Sequence, residues 1–156
     1  NANTGDSIAT NGVCLTAVEI GTGYFVADAM PETTGRTNLR NLKQGDKVNL
    51  EKSITLATPL GGHLVTGDVD CEGEIASITN DGIAVVYDIK AEDNLMKYIV
   101  EKGRVAVDGA SLTVVSFNKN TFKISILKIG IINDTNIIDV NIFILPFLSI
   151  KTYSNK

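Results

Sequence analysis

The chain carries an internal repeat. The stretch Ala9-Thr10-Asn11-Gly12-Val13-Cys14-Leu15-Thr16 returns 97 positions later as Ala106-Val107-Asp108-Gly109-Ala110-Ser111-Leu112-Thr113. At the same offset Val18 matches Val115 and Phe25 matches Phe122. A spacing this long marks one folding unit used twice, not a solenoid repeat of a few tens of residues. Each copy therefore shows what the other lacks.

Between the copies, short apolar runs alternate with Gly-, Asp- and Asn-containing breaks. Residues 7–9, 15–20, 24–27, 47–50, 54–56, 64–69, 73–78, 83–89, 105–107, 112–117 and 122–126 read as strands. Gly21-Thr22-Gly23, Asn80-Asp81-Gly82 and Asn118-Lys119-Asn120 read as turns between them. Evenly spaced short strands predict an all-β barrel or sandwich. One segment departs: in 91–102, Leu95, Met96, Ile99 and Val100 recur at helical spacing. Glu92 and Asp93 stand at its start, Lys102 at its end and Gly103 just beyond, which predicts a short helix. Residues 37–43 predict a weaker helical turn.

The copies differ in what surrounds them. Ahead of Asp108-Gly109 lie three predicted strands and a helix, from about Gly61 to Lys102; ahead of Asn11-Gly12 lies almost nothing. The first unit thus reads as lacking its opening half. The predicted division is an incomplete first barrel over 1–60 and a second over 61–156. From about residue 127 the second has a degenerate tail, rich in Ile, Asn and Lys. Two origins fit such a tail: a shifted reading frame of an AT-rich gene, or a diverged last strand.

Composition narrows the partners. Hydrophobic residues are 44% and charged residues 21%, a soluble globular balance. With a net charge of −4 and no basic stretch, nucleic acid is an unexpected partner. No apolar run approaches bilayer length and no signal peptide is recognisable, so no membrane partner and a cytoplasmic location are expected. Cys14 and Cys71 lack metal-ligand spacing, and no metal is expected.

Several segments, in order, carry a resemblance. They are Gly5-Asp6-Ser7-Ile8-Ala9-Thr10-Asn11-Gly12-Val13-Cys14-Leu15-Thr16, Met30-Pro31-Glu32-Thr33, Arg36-Thr37-Asn38-Leu39, and Gly45-Asp46-Lys47-Val48-Asn49-Leu50-Glu51. Further on come Leu60-Gly61-Gly62-His63 and Glu101-Lys102-Gly103-Arg104-Val105-Ala106-Val107-Asp108-Gly109. From Gly5 to about Ile126 the chain resembles riboflavin synthase, an enzyme family built from two lumazine-binding repeats. It departs in lacking the family's opening Met-Phe-Thr-Gly-Ile, and the Pro-His-Thr expected after Ile126.

The resemblance implies two Greek-key β-barrels, the first incomplete here and the second carrying a short helix. It implies a homotrimer whose active site joins the first barrel of one subunit to the second barrel of its neighbour. Two molecules of 6,7-dimethyl-8-ribityllumazine would react there without a cofactor. A four-carbon unit passes between them, giving riboflavin and 5-amino-6-ribitylamino-uracil. The alternatives are a non-catalytic lumazine- or flavin-binding protein, like the related light-emission antenna proteins, and an inactive remnant.

By the same resemblance, Cys14, Leu15 and Thr16 line the first pocket, with Asp28, Ala29, Met30, Pro31, Glu32 and Thr33 beside them. Gly67, Asp68 and Val69 join the implied contacts. Lys102, Ser111, Leu112 and Thr113 belong to the second pocket, and Ser125 and Ile126 are further implied substrate contacts. Cys14, Asp68 and Ser111 are the implied catalytic positions. Cys14 alone reads as a small buried hydrophobe; its pairing with Ser111 in the repeat favours a thiol that donates a hydrogen bond or adds to an electrophilic ring carbon. Thr16 and Thr113 also suit plain strand positions. Asp68 stands where the family has histidine. Histidine both donates and accepts near neutrality, whereas an ordinary aspartate is ionised and only accepts. Impaired turnover is the expectation. Lys102 fits a contact to the ribityl chain or a cap on the helix dipole. Glu32 and Arg36 read chiefly as surface charges, His63 as structural and Cys71 as a bystander.

Overall fold

The computed structural model describes residues 2–128 and 139–143. Its elements are β1 (Ser7–Thr10), β2 (Val13–Gly21), β3 (Tyr24–Ala27), helix α1 (Pro31–Arg36), a 3-10 turn (Asn38–Asn41) and β4 (Leu50–Lys52). There follow β5 (Cys71–Asp81), β6 (Ala84–Lys90), α2 (Asp93–Met96), β7 (Arg104–Val107), β8 (Ala110–Phe117), β9 (Thr121–Leu127) and β10 (Asp139–Phe143). All strand pairs are antiparallel.

The repeat is visible in the strand order. The first half is an open four-stranded sheet, β3-β2-β1-β4, and the second a closed six-stranded barrel, β10-β5-β6-β9-β8-β7. Four neighbours in that barrel run β9-β8-β7-β10, the order of the first sheet. The first half therefore has counterparts of four barrel strands and none of the β5–β6 hairpin. Among the described residues β3 and β4 are the edges of the first sheet. The tail supplies β10, which closes the barrel by pairing with both β5 and β7. The remainder of the tail's apolar run, 144–150, lies outside the described residues.

Both repeated hairpins turn on two residues with positive φ: Asn11 (47°) and Gly12 (79°), then Asp108 (47°) and Gly109 (85°). Asn-Gly and Asp-Gly suit such turns because Gly has no Cβ to clash and Asn or Asp tolerates left-handed backbone. The matched registers are Ala9 opposite Cys14 and Ser7 opposite Thr16, against Ala106 opposite Ser111 and Arg104 opposite Thr113. The two turns sit back to back. A Cβ added to Gly12 would fall on the backbone of Asp108 and Gly109.

Burial follows the strand period on β1, whereas on β7 Val105, Ala106 and Val107 are all buried. On β1, Ile8 and Thr10 are buried, while on β7 the matching Val105 and Val107 enter the barrel core with Ile89, Val114, Phe122 and Ile124. Leu95, Met96 and Ile99 plug the same core, so the expected apolar face of the helix is present. The helix itself is only Asp93–Met96, shorter than the expected 91–102. Past Met96 the chain continues in turns, with Tyr98 N–H donating to Leu95 O, Ile99 N–H to Met96 O and Gly103 N–H to Val100 O, before Lys102 N–H is taken by Val114 O. No helix among the described residues is long and apolar enough to cross a membrane.

Other differences are local. Residues 64–69 form no strand, because the Gly67 carbonyl accepts from Cys14 N–H in the first half instead of joining a ladder. The strand expected at 47–50 is β4, at Leu50–Lys52; 54–56 instead enters a turn in which Thr58 N–H donates to Thr55 O. The helix α1 was not anticipated, although Pro31 at its first turn, Glu32 near its start and Arg36 near its end are ordinary helix signals.

One buried group is ill served. Thr10 is 7% exposed, and among the described residues its Oγ1 finds no hydrogen-bond partner. Its counterpart in the repeat is Val107. Thr10→Val is expected to stabilise the fold by about 0.5–2 kcal/mol, since it removes an unsatisfied hydroxyl without changing the side-chain outline. A denaturant midpoint that stays put or falls would contradict this.

Candidate ligand site

The segment 62–67 forms a strap across both repeated hairpins. Near its start, Gly62 lies against Ser111, and His63 N–H donates to Ser111 Oγ at 3.0 Å. The His63 ring also meets that oxygen, with Nδ1 to Oγ at 2.5 Å. Five residues on, Gly67 lies against Cys14: its carbonyl accepts from Cys14 N–H at 3.0 Å, and a Cβ at Gly67 would stand 2.6 Å from Cys14 Cβ. Gly67 also has φ +86°, so glycine is required there twice over. The strap thus clasps Ser111 and Cys14, the two residues that the repeat makes equivalent.

The hydroxyl of Ser111 can accept from the His63 backbone while donating to Nδ1, which needs a neutral imidazole. Burial, and then the nearby Arg104 charge, holds the His63 pKa below its ordinary value, favouring that state. Arg104 itself donates to Thr113 Oγ1 at 3.3 Å.

Two clefts flank the Cys14–Gly67 contact, and those two residues line both. The larger, about 440 Å³, runs between the halves past Ser7, Ala9, Glu51, His63 and Ser111. The smaller, about 340 Å³, is walled by Val13 and Cys14 of β2, by Met30, Glu32, Thr33 and Arg36 around α1, and by Asp68 and Val69 just after the strap. Thr37 anchors this wall: it is 1% exposed, and its Oγ1 donates to Thr33 O at 2.7 Å. Glu32 and Arg36 form an ion pair at 3.3 Å, one helical turn apart. Arg40 further ties the first half to the barrel through an ion pair with Glu72 on β5.

The smaller cleft therefore gathers Cys14, Met30, Glu32, Thr33, Gly67, Asp68 and Val69 from the residues singled out in the sequence. Ser111 lines the larger cleft and not the smaller one. The others stand elsewhere. Leu15 and Thr16 continue β2 beyond Cys14, and Pro31 opens α1. Asp28 and Ala29 link β3 to α1. Leu112 and Ile126 pack on the barrel core, and Ser125 lies on β9 opposite Val86. Thr113 is held by Arg104, and Lys102 has φ 64° in the turn before β7. Lys102 lies past the end of α2, so a cap on that helix's dipole is not its role.

Sequence reasoning passed over the clasp. His63 looked structural in isolation, and only the spacing Gly62 to Gly67, matched to the repeat, could have shown it. Both cysteines are free thiols. Cys14 is exposed to the clefts, whereas burial raises the Cys71 thiol to about 11 and leaves it inert near neutrality. Among the described residues no group of three or more His, Cys, Asp or Glu could hold a metal ion.

An open sheet and a closed barrel of one strand order, clasped by a strap and enclosing ligand-sized clefts, define a duplicated all-β binding fold. The chain belongs to the lumazine binding domain family, whose model matches it twice, over residues 1–53 and 66–139. It is 45% identical over 133 residues to the riboflavin synthase of Actinobacillus pleuropneumoniae, covering 85% of this chain and 61% of that protein. It is 44% identical over 123 residues to the riboflavin synthase of Bacillus subtilis (strain 168), covering 79% and 57%. The chain thus spans about three fifths of the length of these relatives. The fold is similar to that of LumP complexed with riboflavin, with a TM-score of 0.80 at 24% identity, covering 93% of this chain and 81% of that one. LumP complexed with 6,7-dimethyl-8-(1'-D-ribityl) lumazine gives 0.78 over 93% and 80%.

The clasp makes a pH prediction. A histidine whose folded pKa is depressed binds fewer protons folded than unfolded, so its contribution is present above the unfolded pKa and declines as pH falls below about 6.5. In an NMR titration His63 should show a midpoint below 6.5 that rises in Arg104→Ala. A wild-type midpoint at or above 6.5, or no rise in the variant, would contradict the arrangement.

Proposed function

We propose that the chain binds 6,7-dimethyl-8-ribityllumazine and acts in the riboflavin synthase reaction, as a riboflavin-forming transferase. The observation that carries this reading is the smaller cleft. Cys14 of the first repeat, Glu32, Thr33 and Asp68 all line it. Its volume of about 340 Å³ falls in the range of small-molecule pockets. The kinship with riboflavin synthases at 44–45% identity supplies the chemistry.

The reaction removes a proton from an activated methyl carbon, which then attacks a second ring. A four-carbon unit is transferred, leaving riboflavin and 5-amino-6-ribitylamino-uracil. Holding two rings together can supply about 7–11 kcal/mol of the barrier in favourable cases. In this reading Cys14 donates a hydrogen bond to the ring or adds to its electrophilic carbon, and the Asp68 carboxylate accepts a proton. In this reading residues 1–60 and 61–156 are two lumazine-binding units, the protein works in the cytoplasm without a metal or cofactor, and sites are completed between subunits of a homotrimer.

A second reading has one specific support. Asp68 is a poor donor in the place where the family resemblance puts histidine, which favours ligand binding with little turnover.

Lumazine fluorescence should be quenched or shifted on titration with the protein, and riboflavin should form slowly. Asp68→His should raise that rate at least about tenfold, the lower side of what a positioned acid–base group contributes. Binding without riboflavin formation in either form would select the binding-protein reading, and no binding would reject both. A folded Asp68→His protein with no gain would remove Asp68 from the proton chemistry.

A further inference from the structure

The part of the smaller cleft that α1 supplies is weakly held by the helix itself. α1 has six residues, buries none of them, and has no side-chain cap at its N-terminus. A helix so short has little stability of its own, because a few residues do not repay nucleation. Contacts from outside therefore decide where it sits, and Arg40 makes them in two directions. Arg40 lies on the 3-10 turn that follows α1. Its Nη1 donates to Gly35 O at 2.9 Å, in the last turn of the helix. Its Nη2 donates to Glu72 Oε2 on β5. Glu72 stands four residues after Asp68 and is fixed in the barrel ladder opposite Asn141. Asp68 and Val69, which line the cleft, lead directly into β5. Neither Arg40 nor Glu72 is itself in the lining.

We propose that Arg40 is a positioning residue for the ligand: its guanidinium clamps α1 to β5, and so fixes the α1 side of the cleft relative to Asp68 and Val69. The inference rests on the reading of that cleft as a lumazine- or flavin-binding site. A guanidinium suits the task because its planar fork holds two acceptors in a set geometry. The carboxylate depends on it in turn. The Glu72 side chain is 19% exposed, and among the described residues its Oε1 is buried without a hydrogen-bond partner. A carboxylate so far withdrawn from water needs a cation beside it. Arg40 supplies that cation, which keeps the 3-10 turn, and α1 with it, drawn to β5.

The size of the effect is bounded. The Arg40 side chain is 45% exposed, so the pair is partly screened by water. Such a pair favours its own arrangement by up to about fivefold. A ligand that binds only the clamped arrangement loses at most the factor by which the clamp favoured it. Removing the clamp should therefore weaken binding by about two- to fivefold, although no group lining the cleft is changed.

The test follows 6,7-dimethyl-8-ribityllumazine fluorescence with wild type, Arg40→Ala, Glu72→Gln and the double variant, at low salt and near 1 M. At low salt each single variant should raise the dissociation constant about two- to fivefold. The double variant should do no worse than Arg40→Ala alone, because both changes remove one interaction. Near 1 M salt the wild type should move toward the variants, since the ion pair is then screened. If Arg40→Ala does not fold, Arg40→Lys replaces it: the charge stays, the fork is lost, and binding should still be weaker than wild type. Wild-type binding that neither single variant weakens would overturn the clamp while leaving the site reading intact. Losses that simply add in the double variant and ignore salt would mark two separate structural effects, and would overturn it too. No lumazine binding by the wild type would overturn the site reading, and the clamp with it.

Discussion

The arrangement depends on the contact between two tight turns. Asn11-Gly12 and Asp108-Gly109 adopt the same left-handed backbone and press their glycines together, with no room for a Cβ at Gly12. Every other relation between the halves is set from that point. With the turns touching, Cys14 and Ser111, each the second residue after its turn glycine, come to lie on either side of it, within the span of a short strap. The turn is also fastened from the first half: Asn11 N–H donates to Asn49 O, and Asn11 Oδ1 accepts from Asn49 N–H, both at 2.9 Å. These bonds tie the hairpin to the approach of β4.

The strap converts a structural duplication into an asymmetric site. One end touches Ser111 through a histidine and the other touches Cys14 through a glycine carbonyl. The equivalent residues of the repeat therefore meet different chemistry. Cys14 keeps an exposed thiol between two clefts, beside Asp68, while the Ser111 hydroxyl is consumed by His63. The barrel supplies rigidity for this division of labour, with Phe122, Val105 and Val114 almost fully buried at its centre. The first sheet, lacking the counterpart of β5–β6, contributes a smaller interior of Ile8, Val13 and Ala17, and leans on the barrel through the turns, the strap and the Arg40–Glu72 pair.

Much of this was legible in the sequence, for physical reasons that can be named. Strands such as Tyr24–Ala27, Ala84–Lys90 and Thr121–Leu127 alternate or cluster β-formers between turn residues, and their periodicity survives folding. The repeat is borne out in the strand order, which the first sheet and four strands of the barrel share. The strap was not legible. Leu64, Val65, Thr66 and Val69 have the composition of a strand, and only the partner of the Gly67 carbonyl, a residue more than fifty positions away, decides otherwise. Periodicity reports which face is buried, not how far a helix runs, so α2 was expected to be longer than it is. Within the site, the family resemblance brought Cys14, Glu32, Thr33 and Asp68 forward; the His63–Ser111 clasp became visible only when distant segments met.

The central claim is that the touching turns hold the strap, and with it the wall of the ligand cleft, in place. Amide hydrogen exchange at Cys14 in a Gly12→Ala variant tests it directly, because that N–H is bonded to the strap at Gly67 and Gly12 meets the turn at Asp108 and Gly109. The account predicts that protection of the Cys14 amide falls sharply, while amides of Phe122 and Ile124 inside the barrel keep theirs. Unchanged protection at Cys14 in the folded variant would contradict it.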